Sequence, residues 1–347
     1  MNAVEARSTP WHRRAARLLA AAVAGAVGLG GLGLAVAWWQ VRPISPQAVP
    51  PRTVIIPPGA SARQIGDRLA GVGLVRSAKT AAVVARALRV ADRLHYGEYA
   101  LSPSQSTVEI VRTIARGETV QHRITIPEGF TVRQIAEVLA AAGIVDRDQF
   151  LALALAGGRS LPHPVLAGLP TDSLEGYLFP DTYLFTRGLP VEAVVRRFLD
   201  RLEAGVGPQT RAAAAARGLS LHQLLTVASM IEREARVPDE QPVIAGVIYN
   251  RLQRGMRLEV DATVLYALGA HRETVTLQDL RVDSPYNTYR HPGLPPGPIA
   301  NPGASAIEAA ARPAAVPYLY YVLRPDGRHH FTRTLREHQD AVRQYRP

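Results

Sequence analysis

The chain has 347 residues, 47% of them hydrophobic, and a formal net charge of +11, enough chain for two or more domains with buried cores. It contains no cysteine, which excludes a disulfide framework and thiolate metal sites. The positive charge is almost all arginine, with Lys79 the only lysine and the arginines scattered. That pattern reads as a coding bias and argues against a nucleic-acid surface, which would need basic runs or a concentrated patch.

The N-terminus is informative. Leu18 to Trp39 carries no charged residue and has the ~20 residues needed to cross a bilayer as a helix. Arg7, Arg13, Arg14 and Arg17 precede it, and Trp38 and Trp39 close it as an interfacial belt. The positive-inside rule puts residues 1–17 in the cytoplasm and the rest outside. The run is longer than a signal-peptide core and lacks a clear small-residue cleavage site, which favours an uncleaved anchor. Residues 40–53, with Pro43, Pro46, Pro50 and Pro51, make a stiff extended spacer.

An internal repeat follows. Pro57, Gly59, Arg63, Gln64, Ile65, Leu69, Gly73 and Val75 recur at a constant offset of 70 residues as Pro127, Gly129, Arg133, Gln134, Ile135, Leu139, Gly143 and Val145. Each copy reads as strand, Pro-x-Gly turn, amphipathic helix and glycine stop. The first copy continues into a second helical stretch near 78–93 and the short segment Tyr96–Leu101. Small strand–helix units of this kind resemble LysM modules, which bind N-acetylglucosamine-containing glycans; a duplication that only spaces or packs fits equally.

Residues 147–219 read as mostly helical around a Gly/Pro-rich loop near 157–172. In this region, the loop Glu175-Gly-Tyr-Leu-Phe-Pro-Asp-Thr-Tyr183 gathers aromatics and carboxylates, groups that suit sugar rings and equally suit a buried turn. Residues 220–236 read as a helix. Ser220 and Gln223 have capping-box spacing, and Leu221, Leu224, Leu225, Ala228 and Ile231 form an apolar stripe. At about 100° per residue, Glu232 and Glu234 fall on opposite flanks of that stripe, with Arg233 pointing to solvent. A half-desolvated carboxyl has a raised pKa, as a general acid needs, although ordinary solvated flank residues would look the same. Pro238 and Asp239 open a further helix, whose stripe is Val243, Ile244, Val247, Ile248 and Leu252 and which Gly255 ends. Asp261 is placed as the N-cap of a short helix running to Gly269. The loops Ser284–Tyr289 and Gly293–Gly303 are pre-ordered by proline. Residues 303–312 read as a helix, Pro-Asp-Gly at 325–327 joins a hairpin, and a last helix ends the chain.

No metal-binding pattern stands out. His329 and His330 are neighbours on a strand and face opposite ways. There is no nucleophile elbow and no phosphate-binding glycine loop. Carboxylate chemistry beside aromatic, asparagine-containing loops remains.

Six segments in order resemble the YceG-like family of membrane-bound endolytic murein transglycosylases. They are Ala228-Ser-Met-Ile-Glu-Arg-Glu234, Asn250-Arg-Leu252, Gly255-Met-Arg-Leu258, Asp261-Ala-Thr-Val264, Ser284-Pro-Tyr-Asn-Thr-Tyr289 and Gly293-Leu-Pro-Pro-Gly-Pro-Ile299. With the loop 175–183 and the anchor, the likeness spans nearly the whole chain. The resemblance implies an α+β fold with a single transmembrane helix (18–39), a spacer (40–53), a duplicated LysM-like region (54–146) and a mainly helical α+β catalytic domain (147–347). It implies Glu232 as the catalytic acid/base, a choice that helix geometry left open against Glu234, and needs no cofactor or metal. Glu175, Asp261, Tyr286, Asn287 and Tyr289 are the expected substrate-binding residues, chosen for polarity and loop setting. The expected partners are peptidoglycan strands, the membrane and peptidoglycan synthases, with no nucleic acid; the expected location is the bacterial inner membrane with the catalytic domain outside the cytoplasm. The competing readings are a hydrolytic muramidase with a second carboxylate, such as Glu234 or Glu175, and a non-catalytic glycan-binding scaffold.

Overall fold

The computed structural model describes residues 10–269 and 274–345; part of the tail expected at 1–17 lies outside the described residues. The chain divides into two compact units, 1–120 and 121–347.

The smaller unit begins with α1 (Pro10–Val41). Its stretch Arg14–Val41 is long and apolar enough to cross a membrane, and Leu18, Leu29 and Leu34 are exposed along it; an N-terminal signal sequence meets the same test. Residues 42–51 have no regular structure. β1 (Arg52–Ile56), α2 (Ala62–Gly71), α3 (Ala78–Ala87) and β2 (Gly97–Leu101) then form a β-α-α-β arrangement, followed by α4 (Thr107–Arg116). β1 and β2 pair antiparallel from Arg52↔Leu101 to Ile56↔Gly97. Ile56, Ile65, Leu69, Tyr99, Ile110 and Ile114 fill the core between them.

The larger unit starts with the second copy of the repeat. β3 (His122–Thr125), α5 (Val132–Ala141) and α6 (Arg147–Ala156) follow the order of the first copy. The closing strand β4 (Thr182–Phe185) pairs antiparallel with β3, Thr125 opposite Thr182. Both copies start their first helix with a capping box, Ser61 with Gln64 and Thr131 with Gln134. Both need glycine at the turn and at the helix stop: φ is +72° and +69° at Gly59 and Gly73, +76° and +69° at Gly129 and Gly143. The boundary expected at 146/147 therefore falls earlier. Ile124, Ile126, Ile135 and Leu139 belong to the same core as α9, and β3 finds its partner more than fifty residues on. The residues read as the end of a loop at 182–183 are the start of β4.

The rest is mainly helical: α7 (Val191–Gly205), α8 (Pro208–Ala216), α9 (Leu221–Glu234), α10 (Gln241–Gln253), α11 (Asp261–Leu268) and α12 (Ala304–Ala311). The antiparallel hairpin β5 (Tyr320–Leu323) and β6 (His329–Thr332) and then α13 (Leu335–Tyr345) complete it. α9 is the hub, with the capping box Ser220–Gln223 at its start. It is not one-sided as its stripe suggests. Thr226, Val227, Ser229 and Met230 are buried along with Leu224, Leu225, Ala228 and Ile231. Each fully buried Leu, Ile or Met here contributes about 1.5–3 kcal/mol. Asp261 does not cap α11: Val260 is the cap, and Asp261 is the first helical residue.

Candidate active site

Three loops converge along α9, held by polar side chains of which Ser229 and Asn301 are fully buried. His222 accepts from or donates to the Tyr177 hydroxyl at 3.1 Å through Nδ1, and its Nε2 lies 2.8 Å from the Pro296 carbonyl. The Ser229 hydroxyl accepts the Ile299 N–H at 3.0 Å. Asn301 joins three segments: its Oδ1 accepts from Leu178 N at 2.8 Å, and its Nδ2 donates to the Phe130 carbonyl at 2.8 Å and to Glu175 Oε1 at 3.1 Å. The Pro-x-Gly turn of the second repeat, the loop 175–181 and the Pro/Gly loop 293–303 are thus fixed to one another.

Glu232 stands where they meet. It is half-buried, and its Oε2 accepts the Gly303 N–H at 3.1 Å. Burial pushes its carboxyl up, the Gly303 hydrogen bond pulls it back, the Glu128 carboxylate pushes it further, and Arg233 opposes that weakly. Glu128 is the turn residue of the second repeat, and its carboxylate lies beside Gly303. A Cβ at position 303 would come 1.9 Å from Glu128 Oε1, so a side chain there would displace the exposed Glu128 carboxylate from this corner. Glu234 differs: its Oε2 accepts from the Tyr321 hydroxyl at 3.0 Å, which ties it to β5.

Three hollows run past this corner and share walls. The one containing Glu232 has a volume of about 360 Å³ and also includes Glu234, Asp261, Leu265 and His329. A second, of about 320 Å³, lies beyond Glu234 and Asp261 against Tyr289, Tyr320, Tyr321 and Arg251. The third, of about 650 Å³, lies on the other side and is lined by Arg133, Glu175, Arg233, Tyr266 and Tyr286.

The expected binding residues fall in different places. Asp261 lines two of the hollows and accepts the Tyr289 hydroxyl at 2.5 Å; burial and that bond raise the Tyr289 pKa. Tyr286 faces the largest hollow, its ring 4.9 Å from that of Tyr266. Glu175 lies at the base of the same hollow, fully enclosed. It accepts from Val132 N at 3.0 Å, from Asn301 and from Tyr266, and burial pushes its carboxyl up to about 8 against the pull of the Val132 and Tyr266 donors and the Arg133 charge. Asn287 is fully buried. Its amide donates to the Leu280 and Val282 carbonyls and its oxygen accepts from Tyr289 N, so it shapes the loop that presents Tyr286 and Tyr289 and offers no free group to a ligand. His329 and His330 do face opposite ways: His329 is buried with Nδ1 2.7 Å from Glu240, and His330 packs on Tyr345.

Sequence reading missed Glu128, Tyr266 and Tyr321. A signal existed for Glu128: within the shared Pro-x-Gly turn it is the residue that differs, Glu128 standing where the first copy has Pro58. Arg233, read as pointing to solvent, is exposed but lines two of the hollows.

A carboxyl whose pKa is raised by burial, at the edge of an open hollow of tyrosines and carboxylates, has the features a general acid/base needs toward a polar, ring-bearing substrate. Comparison with known proteins agrees in kind. A protein of Bacillus subtilis named endolytic murein transglycosylase is 33% identical over 317 residues, covering 88% of each chain. One from Streptococcus pneumoniae with the same name is 31% identical over 84% of this chain, which spans 58% of that longer protein. A crystal structure of a yceG-like protein from Listeria monocytogenes superposes with a TM-score of 0.58 at 35% identity, covering 84% of this chain and 98% of that one. The profile of the YceG-like family matches residues 54–344, and the chain belongs to that family.

Proposed function

We propose that this protein is an endolytic peptidoglycan lytic transglycosylase that cuts the β-1,4 bond between N-acetylmuramic acid and N-acetylglucosamine. The observation that carries the reading is Glu232, held half-buried at the edge of an open hollow with its pKa raised by that burial. Its neutral carboxyl donates to the glycosidic oxygen as the C1–O4 bond breaks through an oxocarbenium-like state. The carboxylate left behind takes the proton of the muramyl C6 hydroxyl as O6 bonds to C1. The new end is 1,6-anhydro and no water is consumed. Asp261, Tyr286 and Tyr289 contact the sugars along the cleft, and Glu175 holds its floor. The anchor keeps the larger unit outside the cytoplasm, where it ends growing glycan strands beside the synthases. The β-α-α-β arrangement of the smaller unit is LysM-like in order and pairing and serves as a further glycan contact.

One observation favours a second reading. Glu234 and Asp261 share the hollow with Glu232, so a second carboxylate is at hand for a hydrolase. Mass spectrometry of peptidoglycan digested by the full-length protein in detergent separates the two. Products lighter by one water than hydrolytic fragments, absent with Glu232→Gln, support the transglycosylase. Reducing ends replace it with a muramidase. No cleavage by folded protein leaves the scaffold reading.

A further inference from the structure

The largest hollow carries a feature that the cleavage chemistry does not use. Arg133 and Arg233 both line it, from the first turn of α5 and the last turn of α9. Neither guanidinium makes a hydrogen bond or ion pair among the described residues. The first repeat shows what normally becomes of such an arginine. There Arg63, the counterpart of Arg133, reaches Asp67 one turn later at 3.3 Å. In the second copy the counterpart of Asp67 is Glu137, and Glu137 is taken by Arg147 at 2.6 Å. Arg133 is left without its helix partner and on the wall of the hollow.

The rest of the lining suits an anion on an otherwise neutral, ring-bearing ligand. The Tyr266 and Tyr286 rings give an apolar face. Thr131, Gln134 and Ser284 supply neutral polar groups. Glu175 is sunk at the base and engaged by Val132 and Asn301; burial favours its neutral form while the Arg133 charge pulls the other way, so a ligand carboxylate would meet Arg133 in place of the buried one. Arg233, Ala262 and Leu265 line this hollow and the one that holds Glu232, so a group bound here is on a sugar next to the scissile bond.

We infer that this hollow is a subsite for a carboxylate carried by a muramyl residue, paired by Arg133 and Arg233 beside the Tyr266–Tyr286 face. The inference rests on the glycan-cleaving reading above and names what that site selects. Two sources share this chemistry: the lactyl carboxylate of a stripped glycan, and the free carboxylates of a peptide stem.

Binding to the full-length Glu232→Gln protein in detergent tests it without turnover. The probes are the amidase-stripped tetrasaccharide of alternating N-acetylglucosamine and N-acetylmuramic acid, its methyl ester, and the stem-bearing tetrasaccharide, titrated by calorimetry. One charge-assisted pair accounts for about a tenfold change in Kd. The expected result is that Arg133→Gln weakens a carboxylate-bearing probe about tenfold, leaves the ester unchanged, and is partly rescued by Arg133→Lys, with melting temperatures equal to the parent. Dependence confined to the stripped acid assigns the lactyl carboxylate; dependence confined to the stem-bearing probe assigns the stem. Equal binding of acid and ester with no effect on the stem-bearing probe, equal weakening of all three by Arg133→Gln, or no binding of any probe to folded protein overturns the proposal. Because nothing is cleaved, carboxylate-dependent binding stands even if digestion yields reducing ends, and anhydro products stand even if Arg133 has no effect.

Discussion

In the first copy of the repeat the turn carries Pro58, Arg63 is bound to Asp67, and the first helix begins on its own capping box alone. In the second copy the turn carries Glu128 against Gly303, Arg133 is released, and the start of α5 takes in Glu175 through Val132 N. The shared glycines and caps build the same β-α-α-β arrangement twice. Three side-chain changes turn one of them into a wall of a cleft. The lesson is that the local code of a supersecondary unit can stay constant while its turn and helix start are given over to chemistry, because glycine stops and capping boxes fix the backbone regardless of what the turn residue does.

The largest expected effect separates the cleft from everything else. Glu232→Gln removes the proton donor and keeps the shape, so cleavage rate falls about 10²–10⁴-fold with an unchanged melting curve. Retained activity in a quantitative muropeptide assay would remove Glu232 from the mechanism. Next comes Glu175, which the first copy lacks. Glu175→Ala strands Val132 N and one of the two Asn301 amide protons, each unsatisfied group costing about 1–3 kcal/mol, and lowers the melting temperature by about 2–4 °C per kcal/mol. Its pH behaviour has a definite sign. The carboxyl is raised in the fold from 4.5 to about 8, so its contribution is complete below the unfolded value and is lost as pH rises through the folded one. Glu175→Gln cannot ionise, and its stability profile across that window is expected to be flatter than the parent's; an identical slope in denaturant titrations counts against the assignment.

Glu128→Gln is a smaller change. It removes the like charge beside Glu232 and lowers that carboxyl's pKa. The alkaline limb of the rate profile should move toward acid by less than about one pH unit, with the maximum rate retained. A shift toward alkali would show that Glu128 does not act through charge on Glu232. The smallest effect compares the turns directly. Gly59→Ala and Gly129→Ala each force a side chain to adopt positive φ, at about 1 kcal/mol. Only at Gly129, whose added Cβ would sit in ordinary contact with Glu232 Cγ at 3.5 Å, is the backbone strain next to the acid, so only that variant should also lower activity.

Local chemistry made much of this readable in the sequence. The Ser220 cap and Gln223 marked the start of α9, Gly269 and Gly255 marked helix ends, and Pro-Asp-Gly at 325–327 marked the hairpin. Partnerships across the chain were hidden. Nothing within β3 announces Thr182–Phe185 as its neighbour, and so the unit boundary was placed too late. Asn287 looked like a sugar ligand because asparagine in a loop is polar; the Leu280 and Val282 carbonyls that consume it are visible only once the loop is folded. The flank geometry of Glu232 and Glu234 was right in kind, but Tyr321 and Gly303, which distinguish them, come from 87 and 71 residues away.

Asn301 has a bearing on when the protein can act. The bonds it makes span 123, 126 and 171 residues, a high contact order for so small a knot, and closure over such separations is slow relative to helix formation. Gly303, which grips the acid, lies two residues beyond it. A chain released only as far as α9 has its glutamate but no corner to hold it, so on the proposed reading the acid is assembled only after most of the chain has folded.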